Sequence, residues 1–229
     1  MLILALDTAL DACAAAILDS VSGTLIAQQS QPMKRGHAEA LMPLIVRVMK
    51  EAGQPFAALD RIAVTTGPGS FTGLRVGLSA ARGIALAAGK PVVGVTTLSA
   101  YAAPLVSENG EHPVISAIDA RHDQVYFQVV GGDGSSLIPP KVAPILEALE
   151  ASRFGAPRLV GNAAQILAER WLDEAPPPVE VDEQPAPDIA WVAWLGAAAD
   201  PNTAPARPFY LRPPDAKPAK ELEPGVIAP

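Results

Sequence analysis

Residues 61–101 read RIAVTTGPGSFTGLRVGLSAARGIALAAGKPVVGVTTLSAY, and this stretch decides the fold. Ile62 to Thr65 is a short apolar run bounded by a turn signal, which predicts a buried strand. Gly67-Pro68-Gly69 breaks it. Ser70 or Thr72 then caps a helix, because either hydroxyl accepts from the free N–H groups of a first turn. The helix is expected from about Phe71 to Ala88. Gly89 stops it and Pro91 follows. Val92 to Val95 is a second buried strand. Strand, glycine loop, long helix and strand make a βαβ unit with the loop at the strand's carboxyl end.

Two stripes on the helix stand out. Gly73, Gly77, Ala80, Ala81 and Ile84 lie on or near one face, although mid-helix glycine costs about 1 kcal/mol against alanine. Such a face suits close approach of another backbone, either the chain's own sheet or a partner helix. Arg75, Ser79 and Arg82 form a polar stripe at i, i+4, i+7. The loop resembles a phosphate cradle only in part. A helix N-terminus attracts anions, but Gly67, Gly69 and Gly73 are spaced G-x-G-x-x-x-G, no G-K-[ST] is present, and Pro68 removes one donor. A tight structural turn is the plainer reading.

Before this unit the chain offers Leu2–Leu6 ending in Asp7-Thr8-Ala9, then Ala12–Leu18 and Thr24–Gln29, three strands in quick succession. Gly36 to Glu51 is helical, with Leu41, Leu44, Ile45, Val48 and Met49 on one face. Pro43 inside it is expected to kink it, and His37 stands at its start. Residues 1–104 thus read βββαβαβ, followed by a helix from about Leu98. That order resembles one lobe of the actin/Hsp70/sugar-kinase (ASKHA) architecture, an α/β fold. In that architecture the aspartate after the first strand faces nucleotide phosphates and their metal, and Asp7 stands in that place. The plain alternative is a carboxylate capping the adjacent turn.

The second half starts over. Pro113–Ile118 ends in Asp119-Ala120-Arg121, Gln124–Val130 follows, and Gly131 to Gly134 makes a turn. The parallel of LALDTA with SAIDAR suggests two related lobes, complete over 1–104 and reduced over 105–212. Val142–Ser152 and Asn162–Leu172 are expected helices around a strand at Arg158–Val160. Asp173–Pro187, acidic and proline-rich, reads as a loop. Ile189–Ala199 is a helix capped by Asp188. Residues 213–229 are expected to form a flexible tail.

Composition narrows the function. The 229 residues carry a net charge of -7, which argues against a broad nucleic-acid-binding face. The lone Cys13 excludes an internal disulfide and fits a reducing compartment. Met1 to Leu6 reads as a strand rather than a leader, and no run of 18 apolar residues occurs, so no membrane span is expected.

ILALDTA, HAEALMPLI, GPGSFTGLRVGLSAARGIALA, GVTTLSA, IDAR and FYLR, in that order, resemble the TsaB (YeaZ) family. The resemblance runs through nearly all of residues 1–131 and returns at Pro208–Arg212. It implies a noncatalytic scaffold in the making of threonylcarbamoyladenosine in tRNA. The paralogue TsaD transfers the threonylcarbamoyl group to the adenosine beside the anticodon, and TsaE, an ATPase, binds the pair. The implied partners are TsaD and TsaE, with a homodimer when alone, tRNA met through the complex, no membrane and a cytoplasmic location. TsaD-like proteins hold a metal with an H-x-x-x-H pair after the equivalent strand. The matching positions here are Thr97 and Tyr101, and His37, His112 and His122 form no such pair. The resemblance therefore implies no metal, no catalytic residue and no cofactor on this chain alone, with ATP/ADP and a metal on partner subunits.

In that family the first lobes dock by their helices. The implied interface is His37, Leu41, Leu44, Ile45, Val48, Phe71, Gly73, Leu74, Gly77, Ala80, Ala81 and Ile84. On this reading Gly77→Leu abolishes pairing with TsaD and leaves the chain folded. A vestigial or shared nucleotide site would comprise Asp7, Thr8, Gly67, Gly69, Ser70, Thr72, Arg75 and Asp119. The alternative is an autonomous ATP-using enzyme of the actin-like superfamily. A peptidase has less support, since neither H-E-x-x-H nor G-x-S-x-G occurs.

Overall fold

The computed structural model describes residues 1–212, so the expected tail at 213–229 lies outside the described residues. The first sheet is built from β1 (Leu2–Asp7), β2 (Ala12–Asp19), β3 (Thr24–Pro32), β4 (Arg61–Gly67) and β5 (Val92–Thr96). Its order is β3-β2-β1-β4-β5. The meander β1–β2–β3 is antiparallel, and β4 and β5 add in parallel. Parallel addition needs crossovers, and the two helices supply them: α1 (His37–Glu51) and α2 (Phe71–Ala88). α1 runs unbroken through Pro43. Ser70 caps α2 by accepting from the Gly73 N–H, and Gly89 ends it in the left-handed conformation.

The inner strands β1, β2 and β4 read as continuous apolar runs because both faces of the sheet are covered there, while the edge strand β3 is largely exposed. Leu4, Leu6, Ile17, Ile62 and Val64 point to α1 and α2, meeting Leu44, Ile45, Val48, Leu74 and Leu78. Ile3, Ala5, Ala16, Leu18, Ala63 and Val93 point the other way, onto Ile189, Val192 and Ala193 of α6 (Ile189–Ala198). Arg61 secures that packing by donating to the carbonyls of Gly196, Ala197 and Ala199 at the C-terminal end of α6. A division at residue 104 therefore needs correcting. The first lobe is completed by a helix almost 90 residues downstream, because only a second apolar layer buries the sheet's outer face.

The second sheet comprises β6 (Val114–Asp119), β7 (Gln124–Val130), β8 (Ser136–Pro144), β9 (Arg158–Val160) and β10 (Glu180–Asp182). Its order, β10-β9-β6-β7-β8, is that of the first sheet strand for strand, with the same parallel and antiparallel pairings. This duplication is the actin-like two-lobe architecture. It puts Asp7 and Asp119 at equivalent strand ends. The second lobe's helices α4 (Ile145–Leu149) and α5 (Ala164–Glu169) are short, so this lobe is the reduced one.

Three sequence expectations fail here for physical reasons. Ser136–Pro144 is a strand, and the expected helix at Val142–Ser152 shrinks to α4 and one 3-10 turn. Pro139 and Pro140 hide the strand from a sequence reading, yet β8 is an edge, where a missing donor is tolerated. The helix expected over Asn162–Leu172 forms only over α5. The acidic loop also contains β10, held by pairing with β9 and by the Arg158–Glu180 ion pair at 3.5 Å.

The lobes share apolar contact. α3 (Thr97–Ala102) lies between them, and Leu98, Tyr101 and Ala102 join a cluster that includes Val114, Ile118 and Val160 of the second sheet.

Candidate functional site

The carboxyl end of β1 gathers much of the expected nucleotide set at one point. Asp7 Oδ1 accepts from the Ala9 N–H at 2.9 Å and from Thr65 Oγ1 at 2.6 Å. Thr8 Oγ1 donates to the Gly73 carbonyl at 2.7 Å, and the Ser70 N–H donates to the Ala9 carbonyl at 2.7 Å. The glycines are consumed by this contact. A Cβ on Gly69 would lie 2.3 Å from the Ala9 oxygen, one on Gly73 2.1 Å from the Thr8 oxygen, and one on Gly77 2.5 Å from Thr8 Oγ1. The small face of α2 thus meets the chain's own β1–β2 turn. The idea that Gly77→Leu spares the fold is overturned, because Gly77 has no room for a side chain in the folded chain itself.

Asp7 is fully buried, and its Oδ2 has no hydrogen-bond partner. Burial pushes its pKa up from the ordinary carboxylate value, against the opposing pull of the Thr65 and Ala9 hydrogen bonds and of His37. These residues do not fit a nucleotide with its metal, which needs carboxylate oxygens it can reach. Among the described residues no three His, Cys, Asp or Glu side chains gather as a metal set. The two positions that the resemblance matched to metal-binding histidines both face inward. Tyr101 donates to the Gln184 carbonyl, and Thr97 Oγ1 is buried without a partner. His37 binds the Leu10 carbonyl, His112 binds that of Ala156, and His122 sits exposed on the β6–β7 turn.

The raised Asp7 pKa has a measurable consequence. A carboxyl that binds its proton more tightly when folded adds stability below its unfolded pKa. That stability is lost as pH rises through the folded pKa. At pH 8 burial of this carboxyl is a net cost, because the folded chain disfavours its charged form. Asp7→Asn keeps the Oδ1 acceptor and removes the charge. It is expected to raise the melting temperature at pH 8 by a few degrees. The gain should shrink toward pH 4. Thermal melts across that range test this, and a variant less stable at pH 8 would show that the carboxylate is needed charged.

Asp119 lies across the cleft from this point, exposed, accepting from the Arg121 N–H. The cleft between the two strand ends is filled by residues 205–212. The Phe209 N–H donates to the Thr66 carbonyl at 2.8 Å, and Arg212 donates to the Ala120 carbonyl at 3.1 Å. Among the described residues, Pro68, Gly69, Leu74, Tyr126 and Phe209–Arg212 line a cavity of about 30 Å³ there. That is room for about one water molecule. Thr72 and Arg75 stay outside the cleft, on the surface of α2.

The interface set divides sharply. Leu41, Leu44, Ile45, Val48, Leu74 and Ala81 are in the chain's own core, Gly73 and Gly77 press on Thr8, and His37 is tied to Leu10. Apart from Leu41, which also borders the surface between α1 and α2, these residues are unavailable to a partner. A buried leucine or isoleucine stabilises the chain by about 1.5–3 kcal/mol, which turning outward would forfeit. Phe71, Ala80 and Ile84 remain at the surface. They join residues the sequence reading passed over: Ala38, Met42 and Val46 on α1, and Val76 on α2. Met42, Val46 and Phe71 are 45%, 54% and 51% exposed. The signal was present as second stripes at i, i+4, i+8 (Ala38, Met42, Val46) and at i, i+4, i+8 (Val76, Ala80, Ile84), offset from the core-facing ones. Ala38, Met42, Phe71, Val76 and Ala80 wall an open groove between α1 and α2, floored by Leu41; Val46 and Ile84 lie one turn beyond it on the same stripes.

Comparison with known proteins agrees with this duplicated fold. A family model described as TsaD, tRNA N6-adenosine threonylcarbamoyltransferase, matches residues 24–169. The chain is 33% identical over 172 residues to the tRNA threonylcarbamoyladenosine biosynthesis protein TsaB of Escherichia coli (strain K12), covering 75% of this chain and 70% of that one. It is 38% identical over 128 residues to the protein of the same name from Haemophilus influenzae (strain ATCC 51907 / DSM 11121 / KW20 / Rd), covering 56% of this chain and 53% of that one. The structure is similar to YeaZ from Pseudomonas aeruginosa, with a TM-score of 0.73 and 29% identity over 92% of this chain and 99% of that chain. Strand order, the GPGSFTGLR loop packed on the β1–β2 turn, and identity sustained over three quarters of the length place the chain in the TsaB (YeaZ) family.

Proposed function

We propose that this chain is a noncatalytic, activating subunit of the complex that transfers a threonylcarbamoyl group to the tRNA adenosine beside the anticodon. The observation that carries the reading is a filled cleft in a protein of the TsaB family. The actin-like fold is kept, yet residues 209–212 line the small cavity between the lobes, Asp7 is fully buried, and Gly69 and Gly73 press on its neighbours Ala9 and Thr8. Apolar contact through α3 also opposes the lobe opening that a nucleotide cycle needs. The chain pairs with TsaD through the groove between α1 and α2, where exposed apolar side chains favour burial. TsaE binds the pair. Nucleotide and metal are held by the partner subunits, and tRNA is met through the assembly. Without TsaD the same face pairs with a second copy. The complex works in the cytoplasm.

The test is a reconstituted modification assay containing the adenylate-forming enzyme, TsaD, TsaE and unmodified tRNA from one organism. Adding this chain is expected to raise modification from background, and the chain alone is expected to be inert. Equal modification without it would overturn the proposal, as would ATP affinity of the isolated chain in the micromolar range.

A further inference from the structure

The eight residues from Pro205 to Arg212 touch both lobes and, through Phe71, the edge of the α1–α2 groove. On the first lobe, Pro205 bridges to Val93, and Arg82 Nε donates to the Ala206 carbonyl at 2.9 Å. The Phe209 N–H reaches the Thr66 carbonyl at the end of β4. On the second lobe, Arg212 grips the β6–β7 turn. It donates to the Ala120 carbonyl and to Gln124 Oε1, and its guanidinium lies 5.8 Å from the centre of the Tyr126 ring. Between these anchors Tyr210 stacks on Phe71, with ring centres 5.8 Å apart and planes inclined by 27°. The Arg75 guanidinium lies 3.8 Å from the centre of the Phe71 ring. Phe71 and Arg75 also line the α1–α2 groove. Phe71 opens α2, so the stack sits where that helix begins.

We infer that residues 205–212 are a latch that holds the two lobes at one angle and couples that angle, through Tyr210 and Phe71, to the start of α2 and the groove beside it. The chemistry suits a latch. The second-lobe anchor is one arginine, a planar fork holding two oxygens and lying near an aromatic ring. The first-lobe anchors are the Phe209-to-Thr66 backbone hydrogen bond, the Arg82 side chain on the Ala206 carbonyl and the Pro205–Val93 bridge, which hold a strand-like segment along β5. Release of Arg212 frees the second lobe's turn and leaves the segment attached to the first lobe. The stack between Tyr210 and Phe71 then loses its fixed partner, and the helix start loosens with it. The latch itself stands without the proposed function. Its effect on partner affinity rests on that reading.

Hydrogen–deuterium exchange on the full chain separates the two. Arg212→Ala is expected to speed amide exchange about tenfold in two separated segments, residues 119–126 and residues 71–78. Tyr210→Ala is expected to speed residues 71–78 alone and leave 119–126 within twofold of the parent. Tyr210→Phe keeps the ring and should match the parent throughout. Faster exchange confined to residues 205–212 in Arg212→Ala would overturn the latch. So would an unchanged 71–78 segment in Tyr210→Ala. In parallel, TsaD titrated against Arg212→Ala is expected to bind about tenfold more weakly, although Arg212 lies outside the groove. If the parent chain itself fails to bind TsaD, the proposed function falls and the exchange result still decides the latch. If the parent binds, and Arg212→Ala binds equally despite faster exchange at 71–78, the coupling to the groove is refuted.

Discussion

Gly73→Ala is expected to destabilise the chain by about 4 kcal/mol, whereas Gly83→Ala, ten residues on in the same helix, is expected to stabilise it. The first substitution sets a methyl group 2.1 Å from the Thr8 carbonyl oxygen, a contact between two backbones with no flexible side chain to give way. Either α2 or the β1–β2 turn must move. Overpacking of this kind costs about 1–3 kcal/mol, occasionally more. The movement also disrupts the Thr8-to-Gly73 and Ser70-to-Ala9 hydrogen bonds, worth about 1 kcal/mol each. For a chain of this size the sum lowers the melting temperature by roughly 10 °C. Gly83 is exposed, and a Cβ there meets nothing within 4 Å. Alanine should therefore recover the helix propensity that glycine forgoes, about 0.5–1 kcal/mol. Paired thermal melts check both. Equal melting temperatures for the two variants would mean that α2 does not press on the β1–β2 turn.

The second large effect concerns docking. Met42→Glu combined with Val46→Glu is expected to weaken binding to TsaD at least about 100-fold, near 2.8 kcal/mol. Both side chains stand one turn apart on the exposed side of α1, where two carboxylates would have to be desolvated against an apolar partner face. Neither is in the core, so the melting temperature should move by no more than a degree or two. Calorimetric titration with TsaD and a melt of each free variant measure the two quantities separately. Unchanged affinity would remove the α1–α2 groove as the contact. Lost affinity with a collapsed melt would point to a fold effect and call for Ala80→Glu on the facing helix.

Much of the fold was legible because local rules and global packing agree. The run of Ile62 to Thr65, the break at Gly67–Gly69 and the Gly89 stop each have one dominant reading, and the structure bears out all three; of the two candidate caps, Ser70 and Thr72, it is Ser70 that caps α2. The βββαβαβ order of the first lobe follows from the same cues. The second lobe was less legible. Pro139 and Pro140 argue against a strand unless the strand is known to lie at an edge, and a three-residue strand such as β10 carries no period to detect. The candidate site was legible in composition and misleading in direction. The glycines of α2 announced close approach, and the reading assigned part of that approach to a partner.

The order of residues by itself determined the elements of the first lobe, the two equivalent strand ends at Asp7 and Asp119, and membership in a family by the GPGSFTGLR loop. Tertiary structure alone decided which backbone fills the space beside Gly73 and Gly77, which apolar stripe of α1 stays outside, and that residues 205–212 close the cleft. The physical reason is separation along the chain. Periodicity and capping act over a few residues, so they can be read in sequence. The contacts of Thr8 with Gly73 and of Arg212 with Ala120 join segments 65 and 92 residues apart, and only the folded sheets bring them together.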